Sequence, residues 1–261
     1  MLIDRGTREK MDSFFGMIKL RNRSNIDTAC KIEQVLAYLE IIHAVIRKYS
    51  KSRTITMVDC CAGNCYLGFL VCYFYMNIEK RNVIVHCVDK NETLMNRSAE
   101  LAAELGFENI HFHSCDVMEF TMNEKPDMVF SLHACDLSTD RAIYCGLKNG
   151  SRSILTVSCC QHTILKNFRN PRYRGITRHK IFRDRIGYMV GDSLRAIILE
   201  MHGYDTDIIE FVSSRYTDKN IMIRAVKGGK GPGRELAEDY DRISREFRVR
   251  PELELYLKRE D

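Results

Sequence analysis

No apolar run in this chain approaches the roughly 18 consecutive residues that a membrane-spanning helix needs, which excludes that class of protein. The opening MLIDRGTREK is charged from Asp4 onward and has no apolar h-region, so no secretory signal is expected. Internal repeats and low-complexity tracts are missing, which excludes a repeat array. The 11 cysteines do not fall in the loop-rich spacing of a disulfide scaffold. Cys72, Cys87 and Cys145 sit inside expected strands and helices, which points to a reducing, cytoplasmic compartment. The net charge of +5 is modest, and its distribution says more than its size. At 261 residues the chain can bury one large core, or one core with a small appendage.

The stretch Thr54 to Phe74, TITMVDCCAGNCYLGFLVCYF, reads as strand, tight turn and helix. Ile55, Met57 and Val58 form an apolar run ending on Asp59, Gly63 permits the turn, and Leu67, Leu70, Val71 and Phe74 share a helical face. A carboxylate at a strand end, a glycine-containing turn and a helix N-terminus make a ligand crevice in α/β nucleotide folds. A second apolar strand, Asn82 to Val88, ends on Asp89. An acid at that tip is placed to accept hydrogen bonds from the two ribose hydroxyls of a nucleoside.

Before this stretch, residues 1–25 hold Arg5, Arg8, Lys10, Lys19, Arg21 and Arg23 around Phe14 and Phe15. Two readings stand: a helix packing the Phe pair on the body, or a basic arm touching phosphates. Asp27 to Tyr49 has apolar residues at helical spacing from Ile32 to Ile46, and this helix is expected across the sheet edge beside the first strand. After Asp89 the pattern gives a helix from about 92 to 105, a strand 109–113 with Cys115-Asp116 at its tip, a strand 127–132, a helix from about 137 to 147 and a strand 153–157. Five strands alternating with helices imply a parallel, doubly wound sheet. A helix from about 178 to 202 follows, then strands 205–212 and 220–226. The short link between these two leaves no room for a crossover helix, so they pair antiparallel. Residues 1–50 therefore form an N-terminal arm and helix, 51–227 the main α/β domain, and 228–261 a Gly-rich linker with charged helices broken at Pro251.

Five parallel strands with a terminal antiparallel hairpin resemble the Rossmann-like, seven-stranded sheet of class I S-adenosylmethionine-dependent methyltransferases. The likeness sharpens in Ser131-Leu132-His133-Ala134-Cys135-Asp136 with Ser138-Thr139-Asp140, which resembles the LHACDxATD signature of a bacterial "methyltransferase domain" family. That family is in turn similar to eukaryotic proteins named for a ribosomal-RNA-adenine-dimethylase domain. Ser158-Cys159-Cys160-Gln161-His162 resembles its PCCxH, Ile176 to His179 the opening of its long helix, and Lys31-Ile32-Glu33-Gln34 its KFxQI helix. Glu210-Phe211-Val212, Thr217 to Asn220 and Ile223-Arg224-Ala225 resemble its EFV…TPxNLLIRA hairpin. The family's first-strand motif resembles DxGCGKxYLxF; Cys61 and Asn64 stand here for its first glycine and its lysine, and Ser158 for the Pro before the paired cysteines. A side chain at a position of positive φ carries strain.

The resemblance implies an enzyme whose cofactor is S-adenosylmethionine. Asp59, Cys61, Gly63, Asn64 and Tyr66 would hold its methionine part, Asp89 and Lys90 its ribose, Asp116 and Val117 its adenine, while Ser131 and His133 would face the methyl group. The Asn/Asp-Pro-Pro-aromatic turn common to enzymes acting on exocyclic base amines is absent. In its place His133 and Asp136 are candidates for orienting the acceptor or taking its proton. Asp136 serves equally as a helix cap, and His133 as a packing group.

Neighbouring strand tips would also gather His133, Cys135, Cys159, Cys160 and His162. Inert pocket thiols, a metal site and a nucleophilic Cys160, as in RNA cytosine-C5 methyltransferases, remain open. Neither HxC nor CCxH is a spacing typical of structural zinc, so no metal is expected. Residues 166–185 carry Lys166, Arg169, Arg172, Arg174, Arg178, Lys180, Arg183 and Arg185 interleaved with Phe168, Tyr173 and Phe182. Basic residues with aromatics at a pocket mouth suit phosphates and stacked bases. Arg169, Arg172, Tyr173, Arg174 and Arg178 are therefore candidates for binding RNA, either rRNA or tRNA. The alternatives are a non-catalytic RNA-binding module on the same fold, or a methyltransferase for a small molecule or protein.

Overall fold

The computed structural model describes residues 4–18, 26–168, 170–228 and 233–259. Among them seven strands form one sheet in the order β3-β2-β1-β4-β5-β7-β6. The strands are β1 (Ile55–Cys60), β2 (Val83–Asp89), β3 (Ile110–Ser114), β4 (Met128–Ala134), β5 (Ser153–Ser158), β6 (Tyr204–Glu210) and β7 (Ile221–Lys227). The first five run parallel, while β7 pairs antiparallel with both β5 and β6, as the short link between the last two strands requires. Chain order reverses between β1 and β4, so a crevice opens at their C-terminal ends. The central strands read as near-continuous apolar runs because helices cover both faces.

Helices α3 (Tyr66–Tyr73), α4 (Glu92–Glu104) and α5 (Leu137–Lys148) are the crossovers. After β5 come the short α6 (His162–Asn167) and α7 (Arg174–Thr177), then α8 (Lys180–Met201). The helix expected from about 178 to 202 is α8, and the extended backbone of His179 separates it from the short α7 before it.

Two helices precede the sheet: α1 (Arg5–Met17) and α2 (Ile26–Ile46). The edge position expected for α2 is wrong. Its Tyr38 hydroxyl donates to the carbonyls of Leu155 (2.6 Å) and Ser131 (3.2 Å), which places the helix over the centre of one face. The reason is its apolar load: Tyr38, Leu39 and Ile42 are fully buried, more than a sheet edge could cover. Helix α1 buries Phe14 and Phe15, with Phe14 stacked on Tyr73 at 4.1 Å, so this part of the N-terminal region packs on the body. Lys19, Arg21 and Arg23 lie outside the described residues. At the other end α9 (Arg234–Phe247) and α10 (Glu252–Leu257) pack on α8 and α5 through Tyr240, Leu253 and Tyr256. Among the described residues no helix is long and apolar enough to cross a membrane.

Candidate cofactor cleft and acceptor mouth

The turn after β1 takes an unusual path. Cys61, Gly63 and Cys65 all have positive φ, at 58°, 53° and 55°. For the two cysteines the left-handed region costs about 1–2 kcal/mol each. The turn is held by backbone donors. Gly63 N–H donates to Asp89 Oδ2 (2.9 Å), Ala62 N–H to the Val88 carbonyl (3.2 Å), and Gly68 N–H to Asp59 Oδ2 (3.1 Å). A methyl at Gly68 would sit 2.6 Å from Cys87 Sγ, so only glycine lets α3 approach β2 this closely. Burial pushes the Asp59 carboxyl up to about 8, against the Gly68 N–H that favours its anion.

Above this turn lies a cleft of about 720 Å3. Asp59, Cys61, Gly63, Asn64 and Tyr66 line it, as expected from the first-strand motif. Leu132 of β4, Cys159 beyond β5 and Tyr216-Thr217 of the β6–β7 link complete the walls. A smaller hollow of about 80 Å3 shares Cys61 and is lined by Asp89, Lys90, Asp116, Val117, Ser138 and Arg141. The residues expected at the methionine part and at the nucleoside thus fall into two adjoining spaces. Ser131 falls in neither. It is fully buried, and its N–H meets the Tyr38 hydroxyl, because α2 lies directly over that part of β4. The His133 side chain lies outside the described residues.

Two groups in these walls were not anticipated as binding residues. Asp27, Cys30, Lys31 and Gln34 of α2 line the cleft, and Gln34 Nε2 donates to the Tyr216 carbonyl (3.2 Å), joining the two walls. The signal was a polar stripe at helical spacing on an otherwise apolar helix. Arg141 of α5 pairs with Asp116 Oδ2 at 3.2 Å, a partner that no local pattern indicates.

The donor set fits S-adenosylmethionine. Each Asp89 oxygen accepts one backbone N–H, from Gly63 or Asn91, and keeps lone-pair capacity for a ribose hydroxyl. Gly63 leaves its Cβ direction open, with nothing within 4 Å. Asp116 Oδ1 accepts from Met118 N–H, and Oδ2 is shared with Arg141.

At the acceptor mouth the expected catalytic residues separate. Asp136 sits at φ 52°, ψ −115°, and both its oxygens are engaged, accepting from Thr163 N–H (2.9 Å) and Thr163 Oγ1–H (2.8 Å). It caps α6, which follows the neighbouring strand β5, rather than its own helix. His162 is exposed and lines a separate hollow with Lys166, Lys180 and Arg183, so it too is displaced from the cleft. Burial and the neighbouring Cys135 push the Cys160 thiol above its ordinary value. The sulfurs of Cys135, Cys159 and Cys160 lie within 4.8 Å of one another.

Beyond α6 the chain is basic and exposed. Tyr173 and Phe182 are 46% and 49% accessible, and Arg174, Arg178, Lys180 and Arg185 face solvent. Arg172 contacts Glu246 at 3.2 Å but is itself 79% exposed, so this pair holds it weakly. Tyr173 stacks near Phe247. Arg169 lies outside the described residues.

A family model described as "Methyltransferase domain" matches residues 30–167. No curated protein matches the chain. Among solved structures it is similar to magnesium protoporphyrin IX methyltransferase from Synechocystis PCC 6803 with bound SAH, at 13% identity and a TM-score of 0.51, covering 84% of this chain and 94% of that one. An rRNA methylase from Streptococcus thermophilus gives 11% identity and a TM-score of 0.46, covering 73% and 96%. Precorrin-6y C5,15-methyltransferase from Geobacter metallireducens GS-15 gives 13% and 0.42, covering 72% and 89%.

Proposed function

This chain belongs to the methyltransferase-domain family, with S-adenosylmethionine as its cofactor, and we propose that its acceptor is RNA, an rRNA or tRNA base. The observation that carries the acceptor class is the basic and aromatic segment 166–185, in which Arg172, Tyr173, Arg174, Arg178 and Phe182 are exposed while Phe168 is buried. It begins seven residues beyond Cys159, which itself lines the cleft. Arginine and lysine there meet backbone phosphates, and Tyr173 and Phe182 offer faces for bases.

When bound, the cofactor supplies a sulfonium methyl that an acceptor lone pair displaces in line. The protein's work is position and exclusion of water. Asp89 and Lys90 would hold the ribose, Asp116 and Val117 the adenine, and Gly63, Asn64, Tyr66 and Lys31 the methionine end. Leu132 and Cys159 form the wall where an acceptor would enter. Asp136 is assigned the capping of α6, and His162, outside the cleft, is assigned no proton transfer.

Calorimetric titration with S-adenosylmethionine and S-adenosylhomocysteine comes first, with Asp89→Ala expected to weaken both at least tenfold. RNA binding is then measured against salt for the wild type and for Arg172→Gln/Arg174→Gln. The double variant should bind more weakly on all RNA sequences and lower the salt slope by about two. RNA affinity indifferent to salt, with tritiated methyl transferred only to small molecules or protein, would overturn the RNA reading and leave the methyltransferase standing.

A further inference from the structure

The three thiols at the ends of β4 and β5 are gathered into one cluster. They come from two loops: Cys135 follows β4, and Cys159 and Cys160 follow β5. Their sulfurs all lie within 4.8 Å of one another, and Cys159 and Cys160 are 3.8 Å apart. Three thiolates around a tetrahedral zinc, each at about 2.3 Å, stand about 3.8 Å from one another. The remaining sulfurs need to shift by no more than about 1 Å to complete that geometry.

The two loops are also fixed to each other, so the cluster is pre-organised. Asp136 N–H donates to the Cys160 carbonyl at 2.8 Å. The Asp136 carboxylate grips Thr163 on the far side of the paired cysteines. Asp136 does this from a backbone conformation that non-glycine residues rarely adopt. Strain of this kind persists where surrounding structure over-determines it. The sequence hid the site because its ligands come from an adjacent pair plus one residue on another strand, not from a Cys-x-x-Cys pattern.

We propose that Cys135, Cys159 and Cys160 bind one thiophilic d10 cation, Zn2+, leaving its fourth position to solvent. Soft thiolates select such ions over magnesium or calcium. A cysteine binds the cation as its thiolate, so binding displaces protons and strengthens as pH rises. The proposal does not depend on the acceptor being RNA.

The test uses the metal alone on the full-length, reduced protein, without cofactor or RNA. Titration with Co2+ under anaerobic conditions should give one equivalent per chain, with thiolate-to-cobalt charge-transfer bands and the intense d–d bands of a tetrahedral site. Zn2+ should displace it. Cys135→Ser and Cys160→Ser should each weaken binding at least about tenfold, while Cys30→Ser, a thiol elsewhere in the cleft, should leave it unchanged. Circular dichroism confirms that the variants are folded, and Cys135 is exposed, so its replacement disturbs no core. Wild-type protein that shows no thiolate bands, or bands that survive in the Cys135→Ser/Cys160→Ser double variant, would overturn the site.

Discussion

At the β1 end of the cleft, the turn is tied down by backbone N–H groups reaching Asp59 and Asp89, and burial holds Asp59 neutral at neutral pH. At the β5 end the anchor is charge. Arg195 of α8 is 1% exposed and donates to Asp140 Oδ1 (2.7 Å) and Oδ2 (3.2 Å), Gln161 Oε1 (2.7 Å) and Asp192 Oδ1 (3.2 Å). Asp192 in turn accepts from Ser158 Oγ–H and Gln161 Nε2, both at 3.0 Å. Ser158 and Gln161 flank the paired cysteines, so one buried guanidinium sets the loop that carries them. The difference teaches how each wall fails. A neutral carboxyl answers to pH, whereas a buried guanidinium stays charged at any ordinary pH and fails only when a partner is lost.

The largest effect is expected from Arg195→Ala. It strands Asp140 and Asp192 in the core and should cost about 3–5 kcal/mol in urea denaturation, with Arg195→Met restoring part of it. If Arg195→Ala costs under about 1 kcal/mol, the contrast between the two walls disappears.

Next in size is a pH effect at the other wall. The Asp59 pKa rises from 3.8 to about 8 on folding, so its stabilising share is complete below about pH 4 and is lost as pH climbs through about 8. Asp59→Asn is neutral throughout and removes that slope. Above pH 8 the variant should be the more stable protein, whereas near pH 4 the two should converge. Melting curves from pH 4 to 9 with parallel slopes for both proteins would show that Asp59 does not titrate with folding.

The smallest effect concerns strain. Cys61→Gly relieves a left-handed backbone and should stabilise by about 1 kcal/mol, less the extra chain entropy of glycine. A Cys61→Gly melting temperature at or below wild type would mean that packing of the thiol against its neighbours outweighs the strain.

Much of this was legible in one dimension. The strands and crossovers follow from apolar runs ending on Asp59, Asp89 and Asp116, since a strand tip that meets a ligand must stop being apolar. The antiparallel end pair follows from a link too short for a crossover. The Cys61 strain was readable too, because a side chain stands where the family places a glycine. Three features were not. Helix α2 was misplaced because apolar load does not say which surface it covers. Asp136 reads as a cap for its own helix but caps α6, a choice made by the spacing of two neighbouring strands. The Arg141–Asp116 pair depends on α5 packing against the β3 tip.

The sequence by itself determined the doubly wound order, the switch point between β1 and β4 and the acidic tips along it. Periodicity and link length are local quantities, and they suffice for these. Only the tertiary structure decided what those tips face: α2 as a cleft wall, Arg195 beneath the cysteine loop, and three sulfurs from two strands drawn within 4.8 Å. Contacts between residues far apart in the chain are fixed by how the helices pack on the sheet, and no spacing along the chain encodes that packing.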